Sequence, residues 1–92
     1  MRRVVIAIEC FDRWDAPWTF CGAVRADPTL GADDRALFEQ VWSTACDARH
    51  WTTARSLDTG VAMAERALAQ QFAWLSPLAR RHLAQAAAYE WR

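Results

Sequence analysis

Apolar residues in the last third of the chain recur at the spacing of one helix face. Val61, Ala64, Leu68, Phe72 and Leu75 fall on one side of a helix expected over 59–75, with Asp58 as its cap and Leu57 as a hydrophobic staple. Met63, Ala67 and Trp74 form a second apolar stripe on the far side, so this helix is either sandwiched inside the fold or offers that stripe to a partner. Pro77 cannot continue a helix, and Ser76-Pro77 is good chemistry for starting one, which predicts a second helix over 77–91. Its inner face carries Leu75, Leu78, Ala79, His82, Leu83, Ala86 and Tyr89, and its outer face Arg80, Arg81, Ala84, Gln85 and Ala88. The expected seam between the two helices is Val61, Leu68, Phe72, Leu78, Leu83 and Ala86. A third helix is expected over 33–49, capped by Asp33, with Leu37, Phe38, Val41, Trp42, Ala45 and Ala48 in one arc.

The first 25 residues read differently. Val4, Val5, Ile6 and Ile8 are β-branched and nearly continuous, which predicts a strand over 3–11. Trp18, Phe20 and Val24 alternate with Thr19, Cys21 and Arg25, which predicts a second strand over 18–25. The turn formers between them make an antiparallel β-hairpin the simplest connection, with Phe11 opposite Phe20 and Cys10 opposite Cys21. Residues 51–57 suit a short third strand, a loop or a continued helix equally. The expectation is one α+β domain spanning 1–92, a β-hairpin packed on three α-helices.

Composition narrows the function classes. Fifty-three per cent of the 92 residues are hydrophobic, enough for a core, although a chain this size buries only about two-thirds of its unfolded surface. The longest apolar runs are too short to span a membrane. Arg2 and Arg3 before an apolar run briefly resemble a signal peptide, but Glu9 breaks the run and no small-residue cleavage site follows; a cytoplasmic protein is expected. The formal charge is zero but uneven. Residues 1–48 carry eight acids against five arginines, and residues 49–92 three acids against six arginines. A neutral chain lacks the footprint of a dedicated nucleic-acid binder. Three cysteines at 10, 21 and 46 are not a disulfide framework and read as small buried hydrophobes.

Candidate chemistry is thin. No local signature joins Cys10, Cys21, Cys46, His50 or His82 into a nucleophile–base pair, so no catalytic residue is assigned. Cys46 and His50 are spaced i, i+4, but the spacing matches no usual zinc pattern, and no metal or cofactor is expected. Glu9, Asp12 and Asp15 read as a solvated acidic turn around Arg13.

Six tryptophans are the anomaly, more than one small core can centre. Trp and Arg are the side chains most enriched at interface hot spots. The expected function is therefore non-enzymatic: a small protein-interaction module, such as an inhibitor, immunity-type protein or adaptor, or a homo-oligomer subunit. The candidate partner-binding residues are Trp14, Trp18, Met63, Trp74, Arg80 and Arg81. The alternative is a nucleic-acid-associated regulator using Arg80, Arg81 and Arg92 on the last helix.

Overall fold

The computed structural model describes residues 1–91, and among them every regular element is a helix. In chain order these are α1 (Arg2–Glu9), a 3-10 turn (Pro17–Thr19) running into α2 (Phe20–Arg25), α3 (Ala32–Ala45), α4 (Ala48–Thr52), α5 (Leu57–Gln71) and α6 (Pro77–Glu90). The expected β-hairpin is absent. Its first strand is α1, its second is the 3-10 turn with α2, and residues 51–57 end one helix and begin another. The α+β expectation is thus corrected to an all-helical fold.

The physical reason lies in which N-terminal side chains are buried. Val4, Ala7, Ile8 and Phe11 are buried at spacings of three and four, the period of a helix face, while Ile6 is 48% exposed. Strand propensity is mainly a preference for a pleated, half-buried surface, and packing against α6 and α3 overrides it here. Phe20 and Val24 are buried one helical turn apart in the same way. The rings of Phe11 and Phe20 do meet, edge to face at 5.2 Å, but across a helix–turn–helix connection.

α6 is the central element, in contact with α1, α3, α5 and the 3-10 turn. Four of its six buried residues are alanines, Ala79, Ala84, Ala86 and Ala87, which lets neighbouring backbones approach on several sides. Ala84, expected outside, is therefore buried. Leu78, expected in the α5–α6 seam, lies 47% exposed on the solvent stripe with Arg81 and Gln85. Leu68, Leu83 and Ala86 do form the seam core.

Several helix ends differ from expectation. α5 is capped by Ser56, whose hydroxyl accepts from the Thr59 N–H at 3.2 Å, rather than by Asp58. Leu57 is half exposed and does not act as a staple. α5 stops at Gln71, four residues before the corner, and the freed segment seats Phe72, Trp74 and Leu75 on the core. α3 is capped at Gly31, where the Asp34 carboxylate accepts from the Gly31 N–H at 3.0 Å. It ends at Ala45, and Asp47 starts α4 by accepting from the Arg49 N–H at 2.9 Å. Ser76 caps α6 as expected, accepting from the Ala79 N–H at 3.1 Å with Pro77 in the first turn.

α5 contacts α6, α3 and α4, and its exposed face carries Asp58, Ala62, Arg66, Ala69 and Gln70, so the two expected apolar stripes border one inner face rather than opposite sides. Gly60 makes the α4 approach possible. A Cβ there would lie 2.5 Å from Trp51 Cε3 and 3.3 Å from the His50 carbonyl oxygen. The Trp51 ring cannot swing aside freely, since its Nε1–H donates to the Ala45 carbonyl at 3.0 Å. Gly60→Ala gains up to about 1 kcal/mol of helix propensity, yet overpacking costs about 1–3 kcal/mol. Urea unfolding is expected to show a net loss of stability, and a more stable variant contradicts this packing.

Candidate functional site

A wide concavity lies where the 3-10 turn, α2 and the C-terminal ends of α3 and α6 converge. Trp18, Cys21, Gly22 and Arg25 share one outward face because they follow one another at helical spacing. Trp42 and Cys46 come from the last turn and cap of α3, and Glu90 and Trp91 from the end of α6. Together they enclose a cleft of about 550 Å³. Its rim is open: Trp18 is 59% and Trp91 40% exposed.

The end of α3 is held by ring nitrogens, which fixes this side of the cleft. The carbonyls of a last helical turn lack intrahelical partners. Here His50 Nε2 bonds the Thr44 carbonyl at 3.0 Å, Trp51 Nε1–H the Ala45 carbonyl, and Trp91 Nε1–H the Cys46 carbonyl at 3.2 Å. A carbonyl only accepts, so His50 carries its proton on Nε2. That bond engages His50 Nε2 at the end of α3; among the described residues no group of three or more His, Cys, Asp or Glu side chains comes together.

On the other side, both Glu39 carboxylate oxygens accept from Arg25, at 2.6 and 3.1 Å. This pairing raises the Arg25 pKa and lowers that of Glu39. Burial pushes the Cys21 thiol up to about 12, opposed by nearby Arg25 and reinforced by Cys46, Glu90 and Glu39. Burial, with the Glu90 charge adding, likewise pushes Cys46 up to about 12. Both thiols are therefore protonated near neutral pH and are weak nucleophiles.

A second, apolar groove of about 280 Å³ lies between Trp14, Pro17, Leu57, Gln85, Ala88 and Tyr89. The Trp18 and Tyr89 rings, 5.7 Å apart, relate the two concavities, since Trp18 lines the first and Tyr89 the second.

The six sequence-derived candidates are scattered. Trp14 packs in an aromatic cluster with Phe11 at 4.8 Å, His82 at 5.0 Å and Phe20 at 6.2 Å, one edge reaching the second groove. Trp18 lines the main cleft. Met63 is half-buried on α5, and Trp74 lies against Phe72 and the core. Arg80 donates to the Leu75 carbonyl at 2.9 Å, and Arg81 lies 3.9 Å from Glu65. Arg92 lies outside the described residues. Of the acids near the first turn, Glu9 accepts from the Ser76 hydroxyl and Asp15 lies 3.8 Å from Arg13.

Sequence reasoning missed Cys21, Gly22, Arg25, Trp42 and Glu90 as a set. The available signal was the spacing 18, 21, 22 and 25, visible only once α2 is read as a helix. Comparisons of the chain with protein-family models, curated proteins and solved structures find no match.

The two thiols give a direct check on the cleft. At pH 8 a thiol titrating near 12 is only about one part in ten thousand thiolate. An aromatic disulfide reagent is expected to label exposed Cys10 quickly, and Cys21 and Cys46 at least about a hundredfold more slowly until denaturant is added. Three thiols reacting at one rate contradict the arrangement.

Proposed function

We propose that this chain is a non-enzymatic protein-interaction module that engages its partner through the aromatic surface around the C-terminal end of α6. The observation carrying this reading is the gathering of exposed Trp18, Leu57 and Trp91 about the last turn of that helix. Their exposure leaves apolar area in water that association would cover. Trp is among the commonest hot-spot residues, and two concavities beside these side chains offer places for partner groups to enter. The inhibitor, adaptor and homo-oligomer versions use the same surface.

Two further observations support the choice. The thiols of the main cleft are protonated, which disfavours nucleophilic chemistry there. Arg80 and Arg81 are each engaged by groups of the chain itself, which weakens the nucleic-acid alternative. No helix among the described residues is long and apolar enough to cross a membrane. A cytoplasmic location goes with the reading, because Cys10, Cys21 and Cys46 are all free thiols.

The test compares the wild type with Trp18→Ala/Trp91→Ala, checked by circular dichroism to be folded. Light scattering after size exclusion reads self-association, and affinity capture from the native cell reads a separate partner. The double variant is expected to weaken whichever association the wild type shows by at least about tenfold. A wild type that is monomeric and captures nothing beyond the double variant overturns the reading.

A further inference from the structure

The main cleft has a charge character that its aromatic walls alone do not reveal. α3 and α6 are both 14 residues long, and both present their C-terminal ends to it. A helix C-terminus carries a partial negative charge that favours a cation; at α3 the ring N–H donors of His50, Trp51 and Trp91 already meet the last carbonyls, so this contribution comes from the end of α6. Glu90 adds a full negative charge at the same place and forms no ion pair among the described residues. Arg25 is the one cation among the described lining residues, and Glu39 neutralises it with both carboxylate oxygens. The Arg25–Glu39–Glu90 set therefore sums to one negative charge, facing three indole rings.

Indole is the strongest aromatic partner for a cation, and a guanidinium also stacks on its face while matching a carboxylate with two N–H donors. A compact ammonium satisfies the charge but not the stacking. We infer that the cleft receives an arginine side chain presented by the protein partner, its guanidinium held between the Trp18 and Trp91 indoles with Glu90 as counter-ion. This rests on the protein-interaction reading and adds to it what the partner must present. A volume of about 550 Å³ has room for one such side chain together with the backbone that carries it.

The cleft can be tested without the partner. The probes are the blocked tripeptide acetyl-Gly-Arg-Gly-amide and the same peptide with citrulline, which keeps the shape of arginine but has no charge. Binding is followed by the indole N–H signals of the 15N-labelled protein. The arginine peptide is expected to bind weakly, in the millimolar range, and to shift the Trp18, Trp42 and Trp91 signals while leaving Trp74 unmoved. The citrulline peptide is expected to bind at least about fivefold more weakly. Glu90→Gln, on the exposed end of α6, is expected to weaken the arginine peptide about three- to tenfold, and Trp18→Phe less than Trp18→Ala.

Equal binding of the two peptides, or an unchanged affinity in Glu90→Gln, overturns the inference. So does a shift confined to other indoles. These outcomes are separate from the wider reading, which stands or falls on whether Trp18 and Trp91 control association. An association abolished by the double tryptophan variant, with no preference for the arginine peptide, keeps the interaction surface and removes the arginine.

Discussion

The C-terminal end of α1 is held by two side chains from the beginning of α6, and the rest of the fold hangs on that attachment. His82 Nδ1–H donates to the Ile8 carbonyl at 2.9 Å, and the Ser76 hydroxyl donates to the Glu9 carboxylate. A helix of eight residues is too short to persist alone, so α1 exists because α6 and α3 accept its apolar face and these bonds satisfy its end. Its position sets that of Phe11, which packs against Trp14 and Phe20. Phe20 in turn rests on Phe38 and Trp42, which seats α2 beside α3. Only then does Trp18 meet Tyr89 and the main cleft take shape. The chain of contacts thus runs from a buried histidine to the exposed aromatic surface.

The parts legible in the sequence are those decided by local chemistry. Ser76-Pro77 specifies a helix start whatever surrounds it, and the long apolar stripes of α3, α5 and α6 repeat often enough to identify their period. The N-terminal helices were illegible because their local and tertiary preferences disagree. Val4, Val5, Ile6 and Ile8 favour a strand by type, whereas Val4, Ala7, Ile8 and Phe11 favour a helix by spacing, and tertiary packing rewards the spacing. That single misreading hid the cleft as well, because Trp18, Cys21, Gly22 and Arg25 share a face only on a helix. Ala84 and Leu78 were misplaced for a related reason. A central helix surrounded on several sides buries its small residues and can leave a leucine outside, which a one-face pattern does not anticipate.

The tryptophans divide by what their rings do. Trp14, Trp42, Trp51 and Trp74 pack against the core from its edges, and Trp51 also caps the end of α3. Trp91 is bonded through its nitrogen yet keeps much of its ring in water, and Trp18 is mostly solvent-facing beside Tyr89. A ring fixed in position but left exposed loses little conformational freedom when a partner covers it, which is why such residues serve well at interfaces. The functional proposal and the fold therefore depend on the same aromatic cluster, the buried half of which keeps the exposed half in place.

The attachment of α1 can be measured at a single imidazole. Because the Ile8 carbonyl can only accept, His82 must carry a proton on Nδ1. Long-range 1H–15N correlation of the ring resolves the two nitrogens at a pH where the ring is neutral. The Nδ1–H tautomer, with ring protons close in space to Trp14, is the predicted result. An Nε2–H tautomer, or a freely exchanging mixture of both, contradicts the bond to Ile8 and with it the placement of α1, α2 and the cleft.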